Sequence, residues 1–111
     1  MNTKKILTFF LLAPLAGLLV NPAQAGNLKA GKDKAAACTA CHEIDGSSQR
    51  PDAPHIGGQV EGYLYEQLSY YRNGRRKHPV MSIVAQDLSD QDIEDLAAWF
   101  SGIKVTRTPP E

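Results

Sequence analysis

Several things are scarce in this sequence, and each scarcity excludes something. No stretch alternates apolar and polar residues well enough for a strand, and no segment repeats, so sheet folds and repeat architectures drop out. Lysine and arginine form no long basic stripe. They equal aspartate and glutamate at twelve each, which leaves little attraction for nucleic-acid phosphates. No apolar run reaches the roughly 20 residues that a membrane-crossing helix needs. Cysteine occurs twice and histidine three times, and only Cys38, Cys41 and His42 stand together; His55 and His78 are isolated.

What is present begins with a leader. Lys4 and Lys5 precede an apolar run from Ile6 to Val20, broken by Pro14 and Gly17, and Ala23-Gln24-Ala25 follows. A positive start, a short greasy core and a small-x-small site describe a secretory signal peptide, with cleavage expected after Ala25 and export to the periplasm. An uncleaved anchor fits less well, because no basic stop-transfer flank follows Val20. Cleavage leaves Gly26 to Glu111, 86 of the 111 residues, with ten basic residues against twelve acidic ones. A domain of this size has a modest core and often needs a staple such as a disulfide, metal or cofactor.

Along the mature chain three helices are expected. Leu28 to Cys38, rich in Ala and Lys, runs into CTACH. Gly62 to Asn73 carries Leu64, Leu68 and Tyr71 at i, i+4, i+7, with Gly74 as a stop signal. Ser89 and Asp92 form a capping-box-like start, followed by Ile93, Leu96, Ala97 and Phe100 and ended by Gly102. The connections from Glu43 to Gln59 and from Arg75 to Asp87 read as loops, and the tail from Val105 to Glu111 as loose. The fold class is all-α. Loops this long in so small a domain are unusual unless they wrap something.

Four readings compete for CTACH, residues 38 to 42. Structural zinc wants four ligands in two clusters, and adjacent Cys41 and His42 do not easily reach one tetrahedral ion. A thioredoxin-type dithiol needs strands that this chain lacks. A disulfide here closes a very small loop, constrains the unfolded chain little, and leaves His42 without a task. The fourth reading uses every residue. Two thiols three positions apart can add across the two vinyl groups on one edge of a porphyrin, and the following imidazole can bind the iron. C-x-x-C-H is the pattern of c-type haem attachment. Thr39 and Ala40 then simply fill the turn.

The second face of the iron needs a ligand or stays open. Once Met1 leaves with the leader, Met81 is the only methionine, and it lies in a proline-bearing stretch read as loop. Methionine is a common core gap-filler, but no helix stripe includes this one. A thioether ligand would favour ferrous iron and raise the potential. His78, three residues earlier, is the alternative; His55 is expected to take no part at the iron.

The order CTACH, Pro54-His55-Ile56-Gly57-Gly58-Gln59, Tyr63 to Gly74, Pro79-Val80-Met81, Leu88-Ser89-Asp90 and Leu96-Ala97-Ala98-Trp99-Phe100 resembles a class I c-type cytochrome. The resemblance is to one half of the dihaem cytochrome c4 proteins and to small monohaem relatives, and it covers nearly the whole mature chain. It implies a cytochrome c fold over residues 26–104 around one covalent haem c. It also implies thioethers at Cys38 and Cys41, axial ligands His42 and Met81, and a hydrogen bond from His42 to the Pro54 carbonyl. Gly31 would let the first and last helices approach closely near Trp99. One departure stands out: the dihaem proteins carry two CxxCH sites, and this chain has one.

A low-spin haem ligated on both faces exchanges electrons and has no vacant site for a substrate. The expected function is therefore a diffusible electron carrier, not an enzyme. Its expected partners are redox proteins: a donor dehydrogenase or quinol-oxidising complex, and an acceptor oxidase or reductase. Neither nucleic acid nor a membrane span of the mature form is expected. Two other readings stay open. One is the cytochrome subunit of an oxidoreductase complex, such as a flavocytochrome sulfide dehydrogenase or an alcohol dehydrogenase. The other is a catalytic or ligand-sensing haem with Met81 unbound. Arg75, Arg76, Lys77 and His78 could steer an acidic partner or be a solvated loop. The acids Asp87, Asp90, Asp92, Glu94 and Asp95 suit a helix N-terminus. Tyr63, Tyr65, Tyr70 and Tyr71 cannot all face inward from one helix.

Overall fold

A computed structural model describes residues 25–111. The leader, residues 1–25, lies outside the described residues save for Ala25 itself. No described helix is long and apolar enough to cross a membrane.

The helices are α1 (Leu28–Ala35), α2 (Thr39–His42), α3 (Glu61–Arg72), α4 (Met81–Val84) and α5 (Asp90–Gly102). Among the described residues there is no strand. Asn27 caps α1 by accepting the Ala30 N–H at 3.0 Å, and Lys32 and Lys34 sit in its last turn, where cations suit the helix dipole. The single helix expected from Leu28 to Cys38 is interrupted: Ala36–Cys38 tightens into 3-10 geometry before α2 resumes. Thr39 helps to secure the join. Its backbone N–H and its hydroxyl both go to the Ala36 carbonyl, the latter at 2.8 Å, so it does more than fill the turn.

α5 begins with a complete capping box. Ser89 accepts the Asp92 N–H at 3.1 Å, and the Asp92 carboxylate accepts the Ser89 N–H at 2.9 Å. Its apolar stripe is buried as the periodicity requires: Leu96, Ala97 and Phe100 pack with Ala35 of α1 and Leu64 of α3 in one cluster. Ile93 is fully buried, and Leu96 and Phe100 are nearly so. The core is thin, and the rest of the interior is a cavity.

α1 and α5 cross at Gly31. A Cβ there would stand 2.0 Å from the Asp95 carbonyl oxygen and 2.8 Å from Trp99 Cβ, so only glycine allows this approach. Beside the crossing lies a polar knot. Asp95, 2% exposed, accepts the Asn27 N–H at 2.7 Å, Lys34 Nζ at 2.5 Å and Gln91 Nε2 at 2.8 Å. Lys34 also reaches Asp92 at 2.8 Å. The Asn27 N–H, and after it Lys34, hold the Asp95 carboxyl below its usual range. Lys34, followed by the Ser89 hydroxyl, lowers Asp92 to about 2.

Both carboxyls are depressed in the folded state, so their contribution to stability is complete above the ordinary carboxylate value of 3.8. It is lost as the pH falls through the folded values, towards about 2 for Asp92. Asp95→Asn is expected to destabilise the haem-bearing protein by about 1–3 kcal/mol at neutral pH. The same change should flatten its acid sensitivity between about pH 5 and pH 2. Denaturant titrations of both proteins across that range check this; parallel acid profiles would contradict it.

Candidate functional site

The long connection after α2 turns back on itself. Glu43 takes a positive φ of 49° directly after His42, and Gly46 follows at 71°. The Gly46 carbonyl then accepts two N–H groups, from Ile56 at 2.7 Å and Gly57 at 3.1 Å. Gly58 N–H donates to the Phe100 carbonyl at 2.8 Å, and Trp99 Nε1–H donates to the Ile44 carbonyl at 2.9 Å, so α5 holds both ends of the loop. Within it, His55 Nδ1 accepts the Ser48 N–H at 2.9 Å. The loop carries Pro54 to His42.

His42 is 7% exposed, and its Nδ1 lies 2.9 Å from the Pro54 carbonyl oxygen. A carbonyl oxygen can only accept, so Nδ1 carries the proton and donates it. In the neutral ring this leaves the lone pair on Nε2, the arrangement that a metal-ligating imidazole requires. The Cys38 and Cys41 thiols are free and half-buried. Burial pushes the Cys38 thiol up from its ordinary value.

Met81 is not in a loop. It is the first residue of α4, a single helical turn, and is half-buried. The turn forms because His78 caps it: His78 Nδ1 accepts the Val80 N–H at 3.2 Å and the Met81 N–H at 3.3 Å, while Ser82 Oγ accepts the His78 N–H at 3.0 Å. Arg72, at the end of α3, brackets this segment. Its guanidinium donates to the Leu88 carbonyl at 2.8 Å and to Asp90 Oδ1 at 2.5 Å. Neither Arg72 nor the capping role of His78 was read from the sequence. A cation closing one helix and an acid opening the next was the available signal.

These residues share one cavity of about 440 Å³. Cys38, Cys41, His42 and Pro54 line it, as do Leu64, Leu68 and Tyr71 of the α3 stripe, Met81 and Val84 of α4, and Leu96 and Phe100 of α5. Its volume lies in the range of cofactor sites, and its lining is largely apolar with a few convergent polar groups. His55 and His78 line it too, but each offers its Nδ1 to backbone N–H groups. A second depression of similar volume lies between α3 and α5, lined by Glu61, Gly62, Tyr65, Glu94 and Ala97. It brings together no sulfur or imidazole. Among the described residues, no three His, Cys, Asp or Glu side chains converge as a metal-holding group.

Two thiols, one imidazole with its lone pair free and one thioether around an apolar cavity fit a haem. The group needs attachment along one edge, nitrogen and sulfur for the iron, and dry walls for the ring.

Comparison with known proteins agrees with this fit. The family model described as cytochrome c matches residues 28–104. Cytochrome c-554(548) of Halomonas halodenitrificans is 44% identical over 80 residues, which cover 69% of this chain and 96% of that protein. Cytochrome c4 of Pseudomonas aeruginosa is 43% identical over 82 residues, covering 74% of this chain but 41% of that protein. The crystal structure of reduced recombinant cytochrome c4 from Pseudomonas stutzeri superposes with a TM-score of 0.68 at 43% identity, over 72% of this chain and 47% of that one. The match thus spans less than half the length of these two cytochrome c4 proteins and nearly all of the shorter relative. With these matches and the CTACH-lined cavity together, the chain belongs to the cytochrome c family and has the cytochrome c fold, its cofactor a covalently bound haem c.

Proposed function

We infer that this chain is an electron carrier of the periplasm, working through a haem c held by Cys38 and Cys41 and ligated by His42 and Met81. The observation that carries the reading is the gathering of those four residues on one cavity, with the His42 ring locked by Pro54. Bound there, haem c supplies one-electron exchange at its iron.

The chain's own residues do the rest. The Nδ1–H bond to Pro54 sets the plane of the His42 ring and raises the basicity of Nε2. Met81 offers a neutral thioether, which favours the ferrous state. Between the two candidates for the sixth position, the geometry supports Met81: His78 Nδ1 accepts two backbone N–H groups, which uses that lone pair and places the proton of the neutral ring on Nε2. Leu64, Leu68, Leu96 and Phe100 keep water from the cavity and so disfavour the extra charge of the ferric state. A site filled on both faces has no place for a substrate, and catalysis is not proposed. The haem domain is taken as residues 26–104, exported after cleavage behind Ala25. Its partners would be redox proteins that meet it at the surface.

Met81→Ala tests the reading. Haem should stay attached, carbon monoxide should bind the reduced protein at neutral pH, and the midpoint potential should fall by on the order of 0.1 V, a fraction of the roughly 0.8 V that axial ligands command. Unchanged potential and unchanged ligand binding would remove Met81 from the iron.

A further inference from the structure

Every haem carries two propionate carboxylates, and a largely apolar cavity that takes one must answer their charge. Among the described residues, three lysine or arginine side chains line this cavity: Lys34, Arg50 and Arg76. Two of them are already matched. Lys34 bridges Asp92 at 2.8 Å and Asp95 at 2.5 Å. Arg50 lies flat against Asp52, with Nε to Oδ1 at 3.0 Å and Nη2 to Oδ2 at 2.8 Å. Asp52 lines the cavity as well, so the Arg50 pair brings no net charge to it.

Arg76 differs. Among the described residues it has no carboxylate partner. Its Nη1 donates to Gln67 Oε1 at 2.6 Å, and its guanidinium lies 4.7 Å from the centre of the Tyr71 ring. Its backbone N–H donates to the Tyr70 carbonyl at 3.0 Å, anchoring the residue just past the end of α3. Gln67 and Tyr71 both line the cavity. A neutral amide oxygen and a ring face orient a guanidinium without neutralising it. One of five N–H donors is used on Gln67; the others remain for an acceptor of fork geometry, and a carboxylate is the acceptor that matches it.

We propose that Arg76, oriented by Gln67 and Tyr71, is the charge partner of a haem propionate and so helps to set the reduction potential. The assignment rests on the haem reading above. An unanswered carboxylate near the iron stabilises the ferric state through its field, and a guanidinium beside it cancels that field.

The neighbouring Arg75 supplies the control. It carries the same charge one residue away, lies 4.6 Å over the Tyr70 ring, and is not among the cavity-lining residues. Arg76→Gln, Arg76→Lys, Arg75→Gln and Gln67→Leu are made in the haem-bearing protein and titrated against redox buffers. Arg76→Gln is expected to shift the ferric-to-ferrous ratio at fixed potential about three- to tenfold towards ferric, the effect of one charge at intermediate dielectric. Tenfold is about 59 mV for one electron. Arg76→Lys should restore most of the shift, and Gln67→Leu, which keeps the charge but frees its orientation, should move it less in the same direction. Arg75→Gln should move it least. Equal shifts for Arg75→Gln and Arg76→Gln, or none for Arg76→Gln, would overturn the proposal while the optical spectrum still reports attached haem. If Arg76→Gln does not mature, an unmoved potential in Gln67→Leu overturns it. A wild-type protein without covalent haem would instead sink the reading on which it rests.

Discussion

Replacing both thiols, Cys38→Ser with Cys41→Ser, is expected to give a colourless polypeptide with little stable structure. The physical ground is the thinness of the core. Beyond Ile93, the buried cluster rests on Ala35, Leu64, Leu96, Ala97 and Phe100, and around it lies a cavity of about 440 Å³. Without haem the apolar walls of this cavity lose their packing partner, and the loss is a large fraction of the stability of a typical domain, about 5–15 kcal/mol. The chain cannot keep the native arrangement around an empty interior; it collapses or unfolds instead. Mass spectrometry should find no haem adduct, and far-ultraviolet circular dichroism should show helix content well below that of the wild type. A normally folded product still carrying covalent haem would refute the attachment at these cysteines.

The second large effect is expected far from the cavity's chemistry. Gly31→Val should destabilise the haem-bearing protein by more than about 3 kcal/mol, beyond the usual range of overpacking. In an exposed helix, replacing glycine by a residue with a side chain usually helps, with Ala better by about 1 kcal/mol. Here the sign reverses. The new Cβ would lie 2.0 Å from a backbone oxygen of α5, and a backbone atom cannot rotate aside as a side chain can. α5 must shift, and the shift pulls Asp95 from the Asn27 N–H and from Lys34. Gly62 is the contrast. It sits inside α3, a Cβ there would meet nothing within 4 Å, and Gly62→Ala should stabilise by about 0.5–1 kcal/mol. Thermal unfolding followed by the fluorescence of Trp99, the chain's single tryptophan, reads both. Comparable, small effects at the two glycines would mean that the α1–α5 crossing is not tightly packed.

Much of the site was legible because its chemistry is local. CTACH holds the attachment pattern in five consecutive residues, and the stripes of α3 and α5 repeat at helical spacing, which marks Leu64, Leu68, Leu96 and Phe100 as inward-facing. The Ser89–Asp92 box was visible for the same reason: both partners lie within one turn. Met81 was singled out by scarcity rather than pattern. Its short helix was not foreseen, because one turn depends on the His78 cap and on the Arg72 bracket, not on propensity. The acids at the start of α5 were only half understood. Asp92 does serve the helix end, whereas Asp95 is buried at the crossing by partners 61 and 68 residues away.

By itself the sequence determined which residues carry the chemistry of a haem attachment pattern, where α3 and α5 run and where α1 begins, and which of their faces are apolar. These are properties of neighbours along the chain, set by covalent spacing and by the 3.6-residue turn. The resemblance already implies that the Pro54 carbonyl accepts a hydrogen bond from His42. Only the tertiary structure decided that Asp95 ties α1 to α5, and that Arg76 reaches the cavity with no carboxylate partner among the described residues. Each of these joins groups from separate segments, or requires knowing which groups are left unpaired, and such relations exist only once the chain has closed on itself.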